Sequence, residues 1–150
     1  MQTLDDLFSG YRRFREGNYQ RDGELYQELG GGQQPKVLVI GCADSRVDPG
    51  DIFSAGPGQL FVVRNVANLV PPYGSGDDLD GVSAAVEYAV TALKVEHIIV
   101  MGHASCGGVG ASLSAHEGKP YGQFVAPWVC LLYTSPSPRD ATLSRMPSSA

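Results

Sequence analysis

Cys42, Asp44 and Arg46 stand within five positions of one another in GCADSRVDP, residues 41–49, and His103 and Cys106 stand close together in MGHASCGGVG, residues 101–110. The first group follows the apolar run Val37-Leu38-Val39-Ile40, and the second follows HIIVM, residues 97–101. Both runs read as buried strands, so reactive side chains gather where two strands stop. The spacing of His103 and Cys106 lets one tight loop aim both at a single ion. Cys42 completes a Cys₂His set if the two strands are neighbours. Zinc accepts thiolate and imidazole tetrahedrally at ~2.0–2.3 Å, and a catalytic site leaves one position open. Three ligands from two strand ends fit that pattern better than a structural site, which more often shows four Cys/His ligands at finger-like spacing. Taken singly the signals are weak, because a lone Cys after a strand is more often a small buried hydrophobe. Together, with Asp44 and Arg46 beside the first thiol, they point to a metal centre.

Zinc held there would lower the pKa of a bound water. Two thiolates would cancel the ion's positive charge, so that water should be less acidic than at an all-histidine site. Activity is therefore expected to rise on the alkaline side of neutrality. Asp44 could accept a hydrogen bond from the resulting hydroxide. Arg46 would hold Asp44 off the metal through a bidentate pair. Without that pair Asp44 could become the fourth ligand and close the site. The plainer reading of Asp44 and Arg46 is a surface ion pair that caps a turn.

The elements that must position these residues follow from the pattern. Leu4, Leu7, Phe8, Tyr11 and Phe14 recur at helical spacing and predict an N-terminal helix with an apolar stripe free to pack on something. Residues 17–36 read mainly as connection, with a short helix near Glu24–Leu29. Val37–Ile40, Leu60–Arg64 and His97–Met101 read as three strands. Residues 66–80 read as a loop, Gly81–Lys94 as a strong helix, and Gly107 to about Ala115 as another. Short, β-branched strands with a helix between the second and third predict an α/β fold. Its mostly parallel sheet would be buried on both faces, flanked by helices and preceded by a helical arm. In such sheets ligands gather beyond the carboxyl ends of the strands.

The chain has 150 residues, 43% of them hydrophobic, and a net charge of −5. That is enough for one domain with a core, and the charge gives no reason to expect nucleic acid or anionic membrane as a partner. No apolar run approaches the ~20 residues that span a bilayer, and the N-terminus lacks the apolar core of a signal peptide. A cytoplasmic location is expected. Three cysteines in a reducing compartment point to metal binding or catalysis before disulfides. His97, opening a strand, and His116, at a helix end, read as surface residues. GHASCGG lacks the Lys-Ser/Thr of a phosphate loop.

CADSR with GHASCGG downstream, together with FVVRNVANLVPP and AAVEYAVTALKVEHIIVMGH, resembles the β-class carbonic anhydrases over roughly Gln2 to Val129. The resemblance implies an α/β zinc enzyme that interconverts carbon dioxide and bicarbonate. It implies a homodimer or higher homo-oligomer with the active site near the subunit interface. Cys42, His103 and Cys106 would be the zinc ligands and Asp44 with Arg46 the family's carboxylate–guanidinium dyad. Gln33 sits where the family often has an active-site glutamine. A subtype with a regulatory bicarbonate site carries a tryptophan three residues before the first cysteine; Val39 stands there instead, and Arg64 alone does not imply such a site. Other readings of the same residues are a zinc hydrolase of a similar linear molecule such as carbon disulfide, a non-catalytic zinc-stabilised interaction module, and a metal-free redox thiol protein. From about residue 130, CLLYTSPSPRDATLSRMPSSA resembles translated sequencing adaptor. The expectation is a domain over 1–129, incomplete at its C-terminus, followed by a non-native or disordered tail over 130–150. A sheet left with an uncovered edge in this way would fold poorly or assemble weakly.

Overall fold

Val37–Cys42 forms β1, the middle strand of a three-stranded sheet in the order β2-β1-β3, with β2 at Leu60–Asn65 and β3 at His97–Met101. Both pairings are parallel, in the register Cys42↔Asn65 on one side and Gly41↔Met101 on the other. All three strands therefore release their chains at the same end of the sheet. The computed structural model describes residues 2–73, 80–119 and 121–134.

The expectation of strands buried on both faces holds for β1 alone. Leu38, Val39 and Ile40 are 1% exposed or less, whereas Ile98 and Val100 on β3 are 48% and 54% exposed. The physical difference is position: among the described strands β1 has a neighbour on each side, and β3 on one side only. One core cluster joins Leu38, Ile40 and Ala89, with Phe61, Val63, Val86 and Val95 packed against it. A second, at the carboxyl ends of the strands, joins Cys42, Ala67, Leu69 and Cys106, with Val47, Trp128 and Leu131 around it.

The helices depart from the sequence reading in instructive ways. The arm is α1, Leu4–Glu16, closed at its start by a reciprocal capping box between Thr3 and Asp6. Its stripe remains exposed, with Leu4, Leu7, Phe8 and Tyr11 all more than half accessible. The short helix expected near Glu24–Leu29 is present as α3 (Gly23–Gly30), and the connection before it also carries a helical turn, α2 (Asn18–Arg21). Tyr19 and Tyr26 pack as a tilted pair with centroids 4.7 Å apart and both meet Phe14, which folds these short turns back on α1. A four-residue α4, Pro49–Ile52, follows the first reactive loop. The loop expected over 66–80 begins with a 3₁₀ turn at Val66–Asn68, and its residues 74–79 lie outside the described residues. The helix expected over Gly81–Lys94 is α-helical only through Tyr88, as α5 (Gly81–Tyr88). A π turn at Ala89–Leu93 then brings the chain to Lys94 in the left-handed region. α6, Gly107–His116, matches expectation, and His116 and His97 are exposed. α7 (Val125–Val129) and α8 (Leu131–Thr134) follow. Of the tail expected over 130–150, residues 135–150 lie outside the described residues. No helix among the described residues is long and apolar enough to cross a membrane.

Asp80 caps α5 by accepting from the amides of Val82 and Ser83 and from the Ser83 hydroxyl. Burial pushes its carboxyl up, but these bonds outweigh it and hold the group below its ordinary value. A carboxyl lowered in the native state stabilises the fold above its unfolded pKa of ~3.9, and that contribution is lost as pH falls through the native value. Asp80→Ala should therefore lose about 1 kcal/mol in urea unfolding near neutral pH. The gap between variant and parent should narrow in acid.

Candidate metal centre

Because β1 and β3 are adjacent, parallel and in register, the loops leaving them meet. Cys42 ends β1, and His103 and Cys106 follow β3, with Cys106 as the N-cap residue of α6. The two sulfurs lie 3.8 Å apart and the thiols are free. That separation is the edge of a tetrahedron with arms of ~2.3 Å, about 3.8 Å, and far exceeds an S–S bond. One ligand atom from each of Cys42, His103 and Cys106 falls within 4.8 Å of the others. The imidazole Nδ1 lies 3.0 Å from the Ala104 carbonyl, and Nε2 is buried with no hydrogen-bond partner. If Nδ1–H donates to that carbonyl, Nε2 keeps its lone pair for a metal. Burial pushes the Cys42 thiol up, yet the Asp44 and Ala67 backbone and the neighbouring His103 ring and Cys106 thiol bring it down to about 7. An orphaned imidazole nitrogen beside two thiols at tetrahedral spacing is a donor set that fits zinc.

Asp44 stands beside this set, outside it. Its Oδ2 is 3.9 Å from His103 Nε2. Arg46 donates from Nε to Oδ1 at 2.8 Å, from Nη2 to Oδ2 at 2.7 Å and from its backbone amide to Oδ1 at 2.9 Å. The Arg46 side chain and amide hold the Asp44 carboxyl well below the usual carboxylate range. Arg46 also donates to the Ser105 carbonyl at 3.2 Å, joining the two reactive loops. Gln33 is not brought to this cluster within one chain. It is exposed, four residues before β1, and lines a cleft of about 520 Å³ with Leu29, Gly58, Tyr88 and Leu93. Five residue steps of strand, roughly 17 Å, separate the two ends of β1.

Several supporting residues have roles that the sequence reading did not assign. Arg64, on β2, donates to the Cys42 and Asp44 carbonyls and to the Asp48 carboxylate. Ala67 and Asn68 both have left-handed backbones, φ 66° and 47°. A non-glycine residue pays strain there, and the Ala67 amide supplies one of the bonds to Cys42. Asn65 holds this bend by donating to the Leu69 carbonyl and accepting from the Leu69 amide. Trp128 Nε1 donates to the Val66 carbonyl at 2.8 Å and packs over the same cluster. Arg64, placed among apolar residues of a strand, was the one visible signal; a left-handed alanine leaves none.

A parallel α/β sheet with a Cys₂His group beyond its strand ends defines a metalloprotein class. Residues 37–146 match the sequence profile of the carbonic anhydrase family. A carbonic anhydrase of Synechococcus elongatus (strain ATCC 33912 / PCC 7942 / FACHB-805) is 40% identical over 123 residues, covering 82% of this chain and 44% of that protein. The structure of the β-carbonic anhydrase CcaA superposes with TM-score 0.81 at 38% identity, covering 87% of this chain and 63% of that one. A tetrameric β-carbonic anhydrase of the ascomycete Sordaria macrospora superposes with TM-score 0.73 at 36% identity, covering 85% and 61%. The chain belongs to the carbonic anhydrase family, in its β class. It spans about half the length of the curated relatives it matches.

Gly108 is where the back wall meets α6. A Cβ there would lie 2.7 Å from Ala67 Cβ and 2.8 Å from Val66 Cγ1, whereas one at Gly107 would meet nothing within 4 Å. Gly108→Ala should destabilise the fold by about 1–3 kcal/mol and weaken zinc uptake. Gly107→Ala should leave both near the parent values, as read by urea unfolding and metal titration.

Proposed function

We propose that the protein performs the reversible hydration of carbon dioxide to bicarbonate and a proton, with zinc held by Cys42, His103 and Cys106. The observation that carries this reading is the buried, unpartnered His103 Nε2 facing two thiols 3.8 Å apart in a β-class carbonic anhydrase fold. Zinc bound there would supply Lewis acidity that makes hydroxide available near neutral pH.

The chain's own residues do the rest. Asp44 is kept ionised by Arg46, so it can only accept hydrogen bonds, and its free lone pairs orient a donor beside the ligands. Arg46 keeps the carboxylate 3.9 Å from Nε2 by occupying both its oxygens. Leu69, Val47 and Ala67 line the neighbouring core and limit access of bulk water. Gln33 would reach a site of this kind only from a second copy, since its own chain carries it to the far end of β1. This supports a homo-oligomer, as the tetrameric Sordaria macrospora relatives also do. Thiols that must remain reduced to bind metal support a cytoplasmic location. Hydrolysis of carbon disulfide and a non-catalytic zinc module are not favoured by the family match.

Metal analysis and stopped-flow carbon dioxide hydration test the reading. The chain should bind one zinc, with a rate rising toward alkaline pH. Cys42→Ser, His103→Ala and Cys106→Ser should each lose both metal and activity. Arg46→Ala should retain zinc and lose activity by about 10–100-fold. Zinc bound without hydration in the parent chain would support the module instead. Full activity in Arg46→Ala would remove Arg46 from the mechanism.

A further inference from the structure

We propose that Arg64 is a positioning residue that keeps Asp44 beside the metal site and not on it; this rests on reading Cys42, His103 and Cys106 as metal ligands. Its three guanidinium nitrogens all reach into one stretch of chain. Nε donates to the Cys42 carbonyl at 3.0 Å, Nη2 to the Asp44 carbonyl at 2.6 Å and Nη1 to the Asp48 carboxylate at 2.9 Å. The two carbonyls belong to the peptide units before Ala43 and after Asp44, so the backbone is gripped on both sides of the carboxylate. Asp48 in turn caps α4 through the Gly50 amide, which fixes the far end of the loop.

Arg46 cannot do this work alone. It rides on the same loop as Asp44, so their ion pair could move as one body. Its single bond to another part of the chain among the described contacts is the 3.2 Å donation to Ser105, and its side chain is 60% exposed. Arg64 sits on β2, with its side chain 28% exposed. It therefore refers the loop to the sheet itself. The backbone ladder stops at the Ala43 amide, which donates to the Asn65 carbonyl at 2.8 Å. One residue later the guanidinium takes over that role. The carboxylate it steadies lies 3.9 Å from His103 Nε2, which would face any metal held there. A small turn of the loop would carry Asp44 onto any ion held there and fill the open position. A planar fork can bond two carbonyls and a carboxylate at once; a lysine ammonium has no such fork.

The test uses the whole chain loaded with cobalt(II), whose visible spectrum reports what fills the open position. Thiocyanate is the probe. The parent spectrum should shift on thiocyanate addition. Arg64→Ala should bind thiocyanate roughly tenfold or more weakly, because Asp44 now holds that position. Arg64→Lys should move the same way. In an Asp44→Asn background, adding Arg64→Ala should change thiocyanate affinity by no more than about twofold. Circular dichroism checks folding, and if Arg64→Ala does not fold, Arg64→Lys carries the same arms. Parent-like thiocyanate binding in the folded Arg64 variant overturns the proposal. So does a loss that persists in the Asp44→Asn background, which would mark Arg64 as a general support of the loop. A parent chain that takes up no cobalt removes the metal-centre reading, and this proposal with it.

Discussion

Two thiols 64 positions apart in sequence approach to 3.8 Å, and nearly every other feature at that end of the sheet serves this approach. Neighbouring parallel strands bring the loops to the same edge, but the last few ångströms depend on the wall behind Cys42. That wall is the left-handed pair Ala67 and Asn68, held by Asn65 and by the Trp128 indole. α6 starts close enough to present Cys106 only because Gly108 has no side chain to strike Ala67. Strain at one alanine and the lack of a methyl at one glycine are two halves of a single contact.

Around this pair the charges are arranged in layers. The carboxylate of Asp44 faces the imidazole, Arg46 neutralises it, and Arg64 grips the backbone beneath. The apolar cluster of Leu69, Val47 and Leu131 closes the other side. The carboxylate lies 3.9 Å from His103 Nε2, and two guanidinium groups hold it and its backbone there. The loop's conformation therefore matters as much as its composition.

The strands and the grouping of Cys42, His103 and Cys106 were legible because their signals are local. Val37–Ile40 and His97–Met101 are unbroken apolar runs, and CADSR and HASC put reactive residues directly after them. The parallel order also followed from the intervening helix. What could not be read depends on distant partners. An uncovered sheet edge was expected, but nothing in HIIVM itself marks it as the strand whose Ile98 and Val100 would be exposed. The short helix near Glu24–Leu29 was legible, but the turn at Asn18–Arg21 was not; Tyr19 in that turn packs on Phe14 and Tyr26. The π turn at Ala89–Leu93 interrupts a sequence with an unbroken helical stripe. Arg64 drew notice as a match to a regulatory motif, whereas its hydrogen bonds run to main-chain carbonyls, which no side-chain pattern encodes.

The register of β1 against β3 has a further meaning. Successive side chains on a strand point to opposite faces. With Gly41 set beside Met101, the sulfur of Cys42 emerges on the side where the second loop descends. Sliding β1 by a single step would send that sulfur to the reverse face. An ion shared by both loops would then be a proofreader of strand alignment, captured only by chains whose ladder has closed correctly.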